Sequence, residues 1–190
     1  MQKLKDAIVS RGRALGGDVL LVDSFLNHQV DVALMRDIGE AFASHFEGGG
    51  FDRVATIESS GIAPAAFTAL AMGLPLLVMK KQTSRITTGE LIQTTVRSFT
   101  KGTEYQLTVK REFLRPGDRV LFIDDFLASG EAAFGAIRLA EQAGARVGGI
   151  GIVIEKAFQP GRERLAGAGM HVHSLARIKS MSESRIEFAD

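Results

Sequence analysis

Strand-length, largely apolar segments at residues 54–57, 76–79, 119–123 and 147–154 alternate with helix-length segments along most of this chain. A sheet with one wet face would show a strict apolar–polar alternation. Uninterrupted apolar strands are buried on both faces, and the segments between them supply the cover. The pattern therefore predicts an α/β fold, a central and mostly parallel sheet flanked by helices. Helices are expected over 66–72, closed by Gly73 with Pro75 beyond it, over 131–143, closed by Gly144, and near 161–168. A final strand is expected over 171–178.

Two stretches depart from this rhythm. In residues 1–50, Leu34, Ile38, Ala41, Phe42 and His45 recur at helical spacing behind Asp31, a good N-cap, and the pattern stops at Gly48-Gly49-Gly50. This predicts an N-terminal helical lobe over 1–50, ahead of a core over 51–190. Within that core, residues 82–93 are polar and read as mobile. Segments 94–100 and 104–109 are rich in Thr, Val, Phe and Tyr around Lys101-Gly102, which reads as a hairpin. No repeat or long polar linker divides the 190 residues, so a single domain is expected.

Composition removes several kinds of chemistry. Lys and Arg total 23 against 22 Asp and Glu, a net charge of +1, without the basic excess of a duplex-binding protein. With no cysteine there is no disulfide, thiolate nucleophile or Cys-ligated metal. The four histidines, His28, His45, His171 and His173, form no HxxxH pair, which argues against a transition-metal site. Residues 59–79 carry no charge, but Ser59, Ser60, Gly61, Pro64, Gly73 and Pro75 interrupt them, as in a turn, short helix and buried strand. No signal-peptide pattern opens the chain, so a cytoplasmic location is expected.

In an open parallel sheet, ligands bind beyond the carboxyl ends of the strands. The segment VLFIDDFLASGEA, residues 120–132, is the most informative one there. A buried strand delivers Asp124 and Asp125, and the chain then turns through Ala128, Ser129 and Gly130 into a helix. Such a turn offers unpaired N–H groups and the positive end of a helix dipole, which suits a phosphate monoester. The carboxylates stand about one ribose away, able to accept hydrogen bonds from vicinal hydroxyls. The turn IESSGIAPA, residues 57–65, offers a second set of N–H groups at Ser59, Ser60 and Gly61. Lys80 and Lys81 end the next strand as candidate countercharges. No GxxxxGK[ST] loop is present, and Gly148, Gly149 and Gly151 lie inside a strand, where glycines permit close packing.

Segment 120–132 resembles the phosphoribosyl pyrophosphate (PRPP) signature of the type I phosphoribosyltransferases. It departs from the common pattern at Ser129, where Thr is usual, and at Ala132, where a second Thr hydroxyl would contact the 5′-phosphate. Together with VDSFLNHQVD (22–31) and GIVIEKAFQPGR (151–162), the order and spacing of motifs resemble the bacterial xanthine-using branch of that family, from about residue 4 to 188. The resemblance implies transfer of 5-phosphoribose from PRPP to N9 of xanthine, releasing pyrophosphate, in purine salvage. It implies a type I phosphoribosyltransferase fold with 1–50 covering the base and 82–110 as a lid that excludes water. Asp124 and Asp125 would hold the ribose, and Ala128, Ser129, Gly130, Glu131 and Ala132 the 5′-phosphate. Ser59, Ser60, Gly61 and Lys81 would hold the pyrophosphate.

The resemblance also implies a purine pocket at Leu20, Asn27 and Lys156, and Phe158 is an aromatic able to cover a flat ring. Lys156 suits the six-position oxygen, while Asn27 can present N–H or C=O and does not by itself separate xanthine from guanine. Mg²⁺ carried with PRPP, mostly through waters, and a homodimer are further implications. No protein metal cage is expected, and neither nucleic acid nor membrane is an expected partner. Two rivals stand beside this reading. One is a guanine- or hypoxanthine-preferring transferase. The other is a non-catalytic PRPP-sensing regulator, which should carry a helix-turn-helix or a broad basic face, and neither is visible here.

Overall fold

A computed structural model describes residues 1–16, 18–81, 89–98, 103–183 and 185–189. The elements are α1 (Gln2–Arg11), β1 (Arg13–Ala14), β2 (Leu20–Leu21), α2 (Val32–His45), β3 (Arg53–Ile57), α3 (Ile62–Met72) and β4 (Leu76–Met79), then β5 (Leu91–Ser98), β6 (Thr103–Lys110) and β7 (Arg119–Leu127), and finally α4 (Glu131–Gln142), β8 (Arg146–Lys156), α5 (Gly161–Gly167), β9 (Val172–Ser182) and β10 (Arg185–Phe188). The main sheet runs β10-β9-β8-β7-β3-β4. All its pairings are parallel except β9 with β10, a terminal strand the sequence pattern did not announce.

Both faces of the sheet are covered, as unbroken apolar strands require. One face packs on α1, α2 and α3 through Leu4, Ile8, Met35, Ile38, Phe42 and Ala65. The other packs on α4, α5 and the β5–β6 hairpin through Leu139, Leu165, Val96 and Leu107. Helix α2 starts where expected, with the Asp31 side chain accepting from the Leu34 N–H at 3.0 Å. It lies directly on α3, since a Cβ at Gly39 would sit 2.5 Å from the Phe67 carbonyl carbon. Glycines in β8 serve packing, as expected: a Cβ at Gly149 would be 2.8 Å from the Phe46 ring, and one at Gly151 2.9 Å from the Phe42 ring.

Three boundaries differ from the sequence reading. Strand β7 runs on to Leu127 rather than ending at Ile123. Its neighbour β8 continues to Lys156, and the pairs Phe126–Ile154 and Leu127–Glu155 keep the ladder going past the two aspartates. Second, the stretch read as mobile over 82–93 enters β5 at Leu91, with Ile92 buried in the core. Residues 82–88 and the expected Lys101-Gly102 turn lie outside the described residues. Third, the first fifty residues also hold a two-residue β1–β2 pairing and a π-helical turn, Asp23–Asn27. Segment 59–79 resolves into turn, helix and strand, and no described helix is long and apolar enough to cross a membrane.

Because β3, β4, β7 and β8 are parallel, the turns that follow them share one rim. The opposite rim gathers three of the four histidines. The His45 ring stacks on His173 at 3.5 Å between centroids, and its Nε2 lies 3.0 Å from Nε2 of His171.

Candidate active site

At the carboxyl end of β7 lies a cleft of about 190 Å³, lined by Lys81, Arg97, Tyr105, Asp124, Phe126 and the run from Leu127 to Ala133, among others. Its floor is the turn between β7 and α4. Gly130 sits at φ +87°, left-handed backbone that other residues adopt at a cost. The first helical bond runs from the Phe134 N–H to the Gly130 carbonyl, 3.0 Å, so the N–H groups before it lack an acceptor within the helix. Helix α5 holds this turn from outside. The Gly161 N–H donates to the Ala128 carbonyl at 2.9 Å, and Arg164 donates to the Ser129 carbonyl at 2.5 Å and pairs with Glu131 at 2.8 Å. With its carbonyls taken up behind, the turn leaves N–H groups to face an anion.

Asp124 is 8 % exposed, and Asp125 donates its N–H to an Asp124 carboxylate oxygen at 3.1 Å. Burial, the neighbouring Asp125 charge and a side-chain hydrogen bond with Asp125 push the Asp124 carboxyl well above the usual range, outweighing the backbone N–H bond, which pulls it down. Burial also raises Asp125, although hydrogen bonds and Lys81 pull the other way. A pair in this condition gains from hydroxyl donors or a cation. The turn after β3 comes right up to it, since a Cβ at Gly61 would lie 3.0 Å from an Asp124 carboxylate oxygen. Glu58 ties this turn to the end of β4 by accepting from the Lys81 N–H at 2.7 Å and pairing with Lys80 at 3.2 Å.

On the other side of Phe126, Lys156 ends β8, with its Nζ 5.6 Å from the Phe126 ring centroid and donating to the Asp18 carbonyl. Burial holds its ammonium below the ordinary lysine range. The preceding Glu155 is held on three sides: Arg162 pairs with it at 2.5 Å, the Ser174 hydroxyl donates at 2.6 Å and Arg177 at 3.2 Å. Burial pushes the Glu155 carboxyl up, but these partners outweigh it and leave it below its usual value.

Residues 27–166 match the phosphoribosyl transferase domain. The chain is 54 % identical over 188 residues to xanthine phosphoribosyltransferase 1 of Clostridium botulinum strain Hall, covering 99 % of each chain. The chain belongs to the phosphoribosyl transferase family. It is also 51 % identical over 190 residues to xanthine phosphoribosyltransferase of Agathobacter rectalis, covering 100 % of this chain and 99 % of that one. Among solved structures, adenine phosphoribosyltransferase from Rhodothermus marinus superposes with a TM-score of 0.75 at 25 % identity, over 93 % of this chain and 97 % of the other.

Within this phosphoribosyltransferase the cleft unites Asp124, Lys81 and the run Ala128–Ser129–Gly130–Glu131–Ala132, with Gly61 against Asp124. Ser59 and Ser60 stand on the same rim but do not line it. Leu20 is buried in the core, on the strand paired with β1, and Asn27 is exposed at the end of the π-helical turn. Phe158 is 43 % exposed. The ring that meets Lys156 is Phe126, a position the motif reading left without a role between the two aspartates and the turn. Tyr105 and Arg97 are the polar cleft residues that sequence reasoning missed. Their only signal was membership of a Thr- and Val-rich ribbon, because nothing local says what a hairpin packs on.

Proposed function

We propose that this protein transfers 5-phosphoribose from PRPP to N9 of xanthine, releasing pyrophosphate and xanthosine 5′-monophosphate. The observation that carries the reading is the cleft itself, lined by both a buried carboxylate and a helix-start anion cradle. The xanthine-named relatives, which match over essentially the whole chain, support the choice of base. Ala128 to Ala132 hold the 5′-phosphate through backbone N–H groups. Asp124 and Asp125 accept from the ribose hydroxyls. Ser59, Ser60, Gly61 and Lys81 hold the pyrophosphate, and Leu20, Asn27, Lys156 and Phe158 form the purine side with Phe126. Residues 1–50 cover the base, and 82–110 close the cleft.

Catalysis here is positional and electrostatic. The sugar carbon develops oxocarbenium character as the bond to pyrophosphate breaks and the bond to N9 forms. No protein nucleophile is needed, and Asp124 and Asp125 fix the sugar while a closed cleft excludes water. Mg²⁺ fits this donor set in one way. Two adjacent carboxylates, Asp124 buried and Asp125 half-buried, gain from a cation. That suits an ion that keeps waters and takes further oxygens from its substrate, with Asp124 and Asp125 holding the water shell. When bound, Mg²⁺ supplies positive charge for the departing pyrophosphate.

A cytoplasmic homodimer belongs to the same proposal, supported by family resemblance, and sedimentation tests the dimer. A pyrophosphate-release assay with PRPP and xanthine, guanine or hypoxanthine tests the function. Xanthine should turn over fastest. Faster turnover of guanine removes the base assignment, and no turnover with any base leaves a PRPP-binding regulator.

A further inference from the structure

Ala132 stands where the resemblance implies a hydroxyl on the 5′-phosphate, and the fold brings another hydroxyl to the same cleft. Tyr105 on β6 lies directly opposite Val96 on β5, so their side chains share one face of the hairpin. That face is seated on α4, because Val96 is 1 % exposed and its Cγ2 occupies the space where a Gly135 Cβ would lie 2.4 Å away. Tyr105 therefore faces the start of α4, half-buried, and lines the cleft with Ala128 to Ala133. The Lys81 ammonium lies 5.6 Å from its ring centroid.

We propose that the Tyr105 phenol is a ligand of the PRPP 5′-phosphate, donating from the hairpin the hydroxyl contact that Ala132 cannot make. This rests on the reading of the cleft given above. Burial, Asp124 and Glu131 all hold the phenol protonated, as a donor to a phosphoryl oxygen must be. The hairpin then carries one of the phosphate's ligands.

The chain has one tyrosine and no tryptophan, so intrinsic emission reports on this residue alone. Without base present, PRPP and ribose 5-phosphate, which carries the 5′-phosphate and no pyrophosphate, should each change that emission. Tyr105→Phe keeps the ring and should raise KM for PRPP about 10-fold, the worth of a hydrogen bond to a charged group, with KM for xanthine unchanged. Adding Ala132→Thr to Tyr105→Phe should recover part of that loss, which a packing role for the phenol would not allow. An unchanged KM for PRPP in Tyr105→Phe, or emission that answers to pyrophosphate and not to ribose 5-phosphate, overturns the proposal. Failure of the wild-type protein to turn over any base overturns the enzymatic reading instead, and the emission titration still decides Tyr105.

Discussion

The Gly161 N–H donates to the Ala128 carbonyl at 2.9 Å, and a Cβ at position 161 would lie 2.3 Å from that same oxygen. The start of α5 and the β7–α4 turn are thus in backbone contact, and no rotamer change can relieve an added methyl. Gly161→Ala should displace the turn at an overpacking cost of ~1–3 kcal/mol. Steady-state kinetics should show KM for PRPP raised about 10-fold or more, with KM for xanthine altered much less. Unchanged PRPP kinetics would mean the turn does not hold the phosphate.

Lys156 combines half-burial with a donated bond to the Asp18 carbonyl beside the Phe126 ring. Loss of a charged donor on the base should cost ~2–4 kcal/mol of transition-state binding. For Lys156→Ala the expected result is a collapse of kcat/KM for xanthine, with PRPP affinity retained in equilibrium titration. Ordinary xanthine kinetics would show that the purine lies elsewhere.

Glu155 is nearly inaccessible at 2 % side-chain exposure, yet it is paired with Arg162 and Arg177 and accepts from Ser174. Removing the carboxylate leaves Arg162 with only neutral partners, the Val172 carbonyl and the Ser174 hydroxyl. Glu155→Ala should lose about 3 kcal/mol of stability, at the low end for a broken buried pair because both arginines reach solvent. For a chain of this size that lowers Tm by roughly 6–12 °C, measurable by calorimetry.

The histidine cluster gives stability an acid dependence. Burial and the nearby His45, His171, Arg162 and N-terminal charges hold His173 down at about 4, and burial and His171 lower His45. Unfolded histidine titrates near 6.5. Between those values the unfolded chain binds more protons, so stability should fall as pH drops from about 6.5 toward 4. Denaturation midpoints measured across that window should flatten in His173→Gln. An equal slope in the variant would assign the acid sensitivity to carboxylates instead.

The turn from β7 into α4 was legible in the residues because its pattern is local. A strand of apolar side chains, two acids and a small-residue turn into a helix are contiguous, and each element follows from neighbours in sequence. Tyr105, Phe126 and the His45–His171–His173 cluster were not legible for the opposite reason. Tyr105 earns a role only through the register of Val96 on Gly135. Phe126 does so only because β8 extends far enough to bring Lys156 beside it. The histidines lie 126 residues apart at the shared Nε2 contact and carry no spacing motif.

Apolar periodicity and helix-stopping glycines determined an α/β chain with a parallel sheet, and the parallel arrangement determined which turns could meet. Periodicity reports which faces are buried but not against what. The seating of the hairpin on α4, the backing of the β7–α4 turn by α5 and the length of β7 past its aspartates were decided only by tertiary contacts. Those contacts join residues far apart in sequence, and their energies depend on shapes that no local pattern encodes.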